Sequence, residues 1–279
     1  MPLDLIYITN KPEVALIAEK NGVGNIMIDL ETLGKEERQK NMDTVKSHHT
    51  VSDVMSVSGA LTVSELLVRI DPMNPGSEEQ IDAVIAAGAD KIMLPMWKSA
   101  DDVGRFISCV NGRVKTVLLL ETKEAVECID EVLDIGGFDE IHIGLNDLHL
   151  SYGLTFMFEL LSNGVLEGLC SKFKAHGVKY GFGGIARIGE GMLPAERIVM
   201  EHYRLGSSAA ILSRSFCNSE VIKNIDEIDR IFFENMALLR DYEKTLICST
   251  DDEFESNRHS VKQCVDMIVA KIREVKGND

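Results

Sequence analysis

Four carboxylates stand where short apolar runs stop. Asp29 and Glu31 finish the run at 25–30, Glu121 follows the run at 114–120, and Asp147 follows the run at 141–145. Carboxylates delivered together are hard oxygen donors of the kind that hold Mg²⁺ or Mn²⁺. A cation, Arg69, ends the run at 65–70, and a guanidinium can bind a substrate carboxylate through two parallel hydrogen bonds. Each residue also has a plainer use. Glu121 can cap a helix starting near Thr122, Asp147 can cap a turn, Asp29 and Glu31 can open a loop, and Arg69 can neutralise its neighbours. Spacing alone leaves both uses open.

These side chains can act together only if the runs that carry them end on one edge. Apolar strand patterns are predicted at 3–9, 25–30, 65–70, 90–95, 114–120, 141–145, 178–184 and 208–212. Helical patterns alternate with them at 11–20, 35–46, 78–87, 101–110, from about Thr122, and at 156–176 with a break at Ser162-Asn163-Gly164. Residues 50–63 read as a loop or a short extra element. Eight strand–helix units make an α/β fold, a (β/α)8 TIM barrel, and active sites in that fold are built at the C-terminal edge of the strands. Beyond it come a helix at 221–246, a polar break at 249–257 and an amphipathic helix at 259–275. The expectation is one barrel domain over 1–279, with 247–279 a helical extension used in contacts between copies.

The 279 residues carry a formal charge of −16 and are 45% hydrophobic, enough for one large core. An acidic chain of pI 4.9 is a poor partner for nucleic acid or an anionic membrane, so neither is expected. No apolar stretch nears the roughly 20 residues that cross a bilayer. Cysteines at 109, 128, 170, 217, 248 and 264 form no Cys-x-x-Cys pair, and the first residues lack a secretory pattern, which fits free thiols in the cytoplasm.

Several stretches carry a resemblance to one family. ETKEAVE at 121–127 and IGLNDLHLSYG at 143–153 resemble the HpcH/HpaI aldolase and citrate lyase beta-subunit family, and AAGADKIMLPMWKSADDV at 86–103 is similar to its AGAxGIxxPMVETAEE segment. The similarity runs from about Ile26 to Gly153, roughly half the chain. It implies a divalent metal, Mg²⁺ or Mn²⁺, on Glu121 and Asp147. It implies Arg69 on the carboxylate or enolate oxygen of a pyruvate-like substrate, with Pro95, Met96, Gly144 and Asn146 shaping the pocket. The substrate is then a small anionic metabolite, a 2-oxo acid or an acyl-CoA, and the protein a homo-oligomeric carbon–carbon lyase of aldolase type. A coenzyme A thioester lyase or hydrolase and a barrel without catalysis are the alternatives. Family members follow an Asp-x-Glu at the second strand with His or Asp, whereas Thr32 stands here. That leaves Glu31, Asp29 or a metal-bound water as the base, with His48, His49 and His149 next in line. The Gly-rich GFGGIARIGEG at 181–191 reads either as a phosphate cradle or as a packing turn with Arg187 at its rim.

Overall fold

Eight parallel strands pair in chain order, and the last closes on the first. They are β1 (Asp4–Ile8), β2 (Asn25–Asp29), β3 (Glu65–Arg69), β4 (Lys91–Leu94), β5 (Lys115–Leu120), β6 (Glu140–Ile143), β7 (Lys179–Ile185) and β8 (Ala209–Leu212). A computed structural model describes residues 1–34 and 49–276, Lys276 by its backbone alone. Its helices are α1 (Pro12–Lys20), α2 (Val51–Ser58), α3 (Ser77–Ala86), α4 (Ala100–Val110), α5 (Lys123–Glu127) and α6 (Ile129–Ile135), followed by α7 (Leu145–Ser151), α8 (Glu159–Ser162), α9 (Val165–Ala175), α10 (Ala195–Leu205), α11 (Ile225–Leu246) and α12 (Asp251–Lys276).

Strands buried on both faces read as unbroken apolar runs, which is why the sequence shows them clearly. Their outward side chains, such as Ile26, Val68, Ile92 and Leu118, pack beneath the helices in one continuous core. Their inward side chains, Ile6, Met27, Leu67, Met93, Val117 and Leu119, fill the barrel. Because successive strand residues face opposite ways, the pleat then decides where the chemistry goes. Asp29 lies two places beyond Met27, Arg69 two beyond Leu67 and Glu121 two beyond Leu119. All three therefore aim at the barrel axis. At the opposite end of the strands Lys91, 1% exposed, pairs with Glu65 at 2.9 Å and Glu140 at 3.0 Å, and Glu140 also takes Lys179 at 3.0 Å. The bottom of the barrel is thus closed by paired charge.

Several boundaries differ from the sequence reading. β6 stops at Ile143, and Leu145 already belongs to α7, so Asp147 rides in the first turn of a helix. Residues 50–63 contain α2, opened by a reciprocal pairing of Thr50 with Asp53. The polar stretch 249–257 is mostly helix. Thr250 and Glu253 pair at its start, and Asn257, 6% exposed, turns inward to donate to the Arg197 carbonyl at 3.1 Å and Glu201 Oε1 at 2.8 Å. From there α12 buries Val261, Val265 and Val269 and lies on α8 and α10 of its own chain. The 156–176 region is two helices, α8 and α9. The helix expected at 35–46 and His48 lie outside the described residues. No described helix is long and apolar enough to cross a membrane.

Candidate active site

At the C-terminal mouth, β2 and β3 are in register with Asp29 opposite Arg69. The guanidinium meets the carboxylate as a fork: Nε donates to Asp29 Oδ1 at 2.9 Å and Nη2 to Oδ2 at 2.8 Å. Glu31 Oε2 lies 3.5 Å from the same Nε. Asp29 and Glu31 are 3% and 2% exposed, and so need charge partners of this kind. Burial works against the Arg69 charge, yet Asp29, Glu31 and Glu121 hold its pKa above the usual arginine range.

Glu121 is pinned from two sides. Its Oε1 accepts the Met96 N–H at 3.1 Å, and Met96 presents that amide from a left-handed backbone, φ 52°. Such a conformation is costly for a residue with a Cβ and recurs where a site needs it. On the other side Gly144 leaves no room: a Cβ there would sit 2.9 Å from both Glu121 Cβ and Oε2. Burial foremost, with Asp147 and Glu31 adding to it, pushes the Glu121 carboxyl up to about 8 against the pull of Arg69 and the Met96 amide. Helix capping falls to its neighbour. Thr122 Oγ1 accepts the Ala125 N–H at 3.1 Å and donates to the Trp97 carbonyl at 2.9 Å.

The structure therefore brings Asp29, Glu31, Arg69 and Glu121 together, with Asp147 close enough to act on Glu121 through its charge. Pro95 is buried and positions Met96, while Asn146 is half-buried beside Asp147 and no described hydrogen bond ties it to the acids. Two further residues join the rim, His49, one of the reserve candidates for the base, and Asp71, which was not expected. His49 accepts the Asp29 N–H through Nδ1 at 3.1 Å, which leaves the proton of the neutral ring on Nε2. Asp71 accepts from Thr32 and Leu33. The position of Asp71 two residues after Arg69 was its only sequence signal, whereas His49 was a candidate by residue type alone. His149 is 8% exposed, and its Nδ1 lies 3.2 Å from the Leu145 carbonyl. The glycines of β7 serve close packing: a Cβ on Gly181 would lie 2.5 Å from the Ala209 carbonyl oxygen and one on Gly183 2.7 Å from Leu145 Cδ1. Arg187 Nε donates to the Phe216 carbonyl at 2.7 Å.

Among the described residues no group of three or more His, Cys, Asp or Glu is arranged to hold a metal ion. Two carboxylates suffice for a Mg²⁺ site that draws its other oxygens from water and substrate. Glu121 and Asp147 fit that donor set as two carboxylates whose charges act on one another.

Fold and site define a (β/α)8 barrel with an arginine-centred acid cluster at the C-terminal edge of its strands. The chain belongs to the HpcH/HpaI aldolase/citrate lyase family, whose model matches residues 5–159. A hydroxypyruvate/pyruvate aldolase from Roseovarius nubinhibens is 25% identical over an alignment covering 39% of this chain and 55% of the relative. The chain thus spans about half the length of that curated relative. Two solved structures share the fold. An HpcH/HpaI aldolase from Desulfitobacterium hafniense superposes with a TM-score of 0.60 at 16% identity, covering 76% of this chain and 86% of that one. A family protein from Burkholderia cenocepacia gives 0.61 at 14% identity, covering 81% and 95%.

Proposed function

We propose that this protein is a metal-dependent carbon–carbon lyase of aldolase type, acting on a 2-oxo acid through a pyruvate-like enolate. The observation that carries it is the meeting of Arg69, Asp29, Glu31 and Glu121 at the strand ends, with the charge of Asp147 acting on Glu121. In this reading Glu121 and Asp147 hold Mg²⁺ or Mn²⁺, which supplies Lewis-acid polarisation of a carbonyl and neutralises negative charge. Arg69 orients the substrate and stabilises the enolate oxygen as the carbon–carbon bond breaks. Its fork stays in one orientation because Asp29 occupies two of its donors. Asp29 is committed to that fork and to the Glu31 N–H, so in this reading the proton of the cleaved hydroxyl goes to Glu31, which lies 3.5 Å from Arg69. Pro95, Met96, Gly144 and Asn146 bound the pocket. The same reading treats residues 1–279 as one working unit, cytoplasmic and self-associating.

The test is a side-by-side assay of oxaloacetate decarboxylation, pyruvate methyl-proton exchange and hydroxy-oxo acid cleavage with Mg²⁺, Mn²⁺ and chelator, alongside calorimetric Mn²⁺ binding. Metal-dependent turnover and stoichiometric Mn²⁺ binding are expected. A chain that neither binds Mn²⁺ nor turns over any of the three would refute the reading.

A further inference from the structure

Glu31 stands two residues past the end of its strand. β2 ends at Asp29, and the last ladder bond beyond it runs from the Leu30 N–H to the Arg69 carbonyl at 2.9 Å. From Glu31 onward two carboxylates replace the ladder. On the N-terminal side of its Cα, the Glu31 N–H donates to Asp29 Oδ1 at 3.2 Å. On the C-terminal side, the Thr32 N–H donates to Asp71 Oδ1 at 2.7 Å, and the same oxygen takes the Leu33 N–H at 2.8 Å and Thr32 Oγ1 at 3.2 Å. Both peptide planes that flank the Glu31 Cα are thereby tied. Peptide planes are rigid, so φ and ψ of the residue between them set where its side chain points.

Asp71 is itself held in place. Its N–H donates to Gln80 Oε1 at 3.1 Å, and its Oδ2 accepts from Gln80 Nε2 at 3.1 Å. Gln80 comes from α3, and Asp71 leaves β3 two residues after Arg69, so the strand that delivers the guanidinium also delivers this clamp. Thr32 is exposed and its hydroxyl points to Asp71.

We propose that Asp71, oriented by Gln80, is a positioning residue that aims the Glu31 carboxylate toward Arg69 and the reacting hydroxyl. The proposal rests on the reading of Glu31 as the proton acceptor. Thr32 is then part of the same clamp, and its hydroxyl has a structural use at the position where relatives carry His or Asp.

A double-mutant cycle tests it. Asp71→Asn keeps an acceptor for Thr32 but turns an N–H₂ toward the N–H₂ of Gln80, and Gln80→Glu sets two carboxylates against each other. Together the two changes pair an amide N–H₂ with a carboxylate and rebuild the contact. Each single variant is expected to lower kcat about tenfold or more, the scale of a sub-ångström misplacement, with KM unchanged because Arg69 still binds the substrate. The amides of Thr32 and Leu33 should exchange hydrogen faster in both singles. The double variant should recover both turnover and protection. Faster exchange with an unchanged kcat overturns the proposal, as does a kcat loss that the double variant leaves in place. Changes in kcat and KM that merely track a fall in Tm also overturn it, by reducing Asp71 to a stability role. No turnover in the wild-type protein refutes the functional reading instead, and the exchange data then still decide whether the clamp exists.

Discussion

Alanine at position 144 sets one extra carbon against the Glu121 carboxylate. The Gly144 backbone, φ −80° and ψ 86°, is open to an L residue, so the effect comes from contact and not from strain. Its Cβ would lie 2.9 Å from Glu121 Cβ and Oε2 and 3.3 Å from Leu119 Cδ1. Carbon contacts rest at about 3.5–4.0 Å, so the first pair must open by roughly half an ångström or more. Leu119 can change rotamer and Oε2 can swing away. Glu121 Cβ cannot, because it is fixed to the backbone just after β5, and the Gly144 N–H is itself bonded to the Leu120 carbonyl at 2.9 Å. The end of β5 must therefore move from α7, which also shifts the Glu121 side chain from the Met96 amide. Overpacking of this kind costs about 1–3 kcal/mol, and at about 2–4 °C per kcal/mol in a chain of this size Tm should fall by roughly 2–12 °C. If Glu121 and Asp147 hold the metal, displacing one of them should also weaken Mn²⁺ binding on the order of tenfold, equivalent to about 1.4 kcal/mol. Calorimetry gives both numbers. Gly168→Ala is the control, since a Cβ there, inside α9, meets nothing within 4 Å. A Gly144→Ala protein with wild-type Tm and wild-type Mn²⁺ affinity would refute the argument that this glycine exists for Glu121.

Arg69→Lys keeps the charge and loses the planar fork on Asp29, so kcat should fall on the order of 10²-fold while the protein stays folded, and wild-type kinetics would make Arg69 structural. Glu121→Gln and Asp147→Asn should each abolish the metal response of activity and of Mn²⁺ calorimetry with little change in Tm. Full activity in Asp147→Asn would remove it from the metal site. Two buried histidines give an acid limb: burial holds His142 down at about 4, and burial together with His142 holds His202 down at about 3. Both lie below the ordinary 6.5, so the unfolded chain binds more protons, and stability present above pH 6.5 drains away as the pH falls toward 4. Each histidine contributes at most about 3 kcal/mol to that loss. His202→Leu should flatten the fall of Tm between pH 6.5 and 5 relative to wild type, and an equally steep fall in the variant would place the proton uptake elsewhere.

Much of the site was legible because local pattern carried it. Runs that stop at an acid or an arginine marked Asp29, Arg69 and Glu121, and the two-residue alternation of a strand is enough to turn each toward the axis once the strand is known. Thr50 with Asp53 and Thr250 with Glu253 are equally local signals for helix starts, set in polar surroundings. The pattern at 141–145 reads as strand to its end for a physical reason: an apolar residue after a glycine continues a strand or begins a helix equally well, and the packing of α7 against β7 decided for the helix at Leu145. The remaining features depend on residues far apart in the chain. Asp29 and Arg69 are separated by 40 positions, Thr32 and Asp71 by 39, and Met96 and Glu121 by 25. The left-handed turn at Met96, the absent Cβ at Gly144 and the docking of α12 on its own barrel likewise answer to neighbours that are distant in sequence. Sequence by itself marked Asp29, Arg69 and Glu121 as strand-end side chains of the candidate site. Closure of the barrel decided which of them touch, because those distances are set by strand register and helix packing, and no stretch of ten or twenty residues contains them.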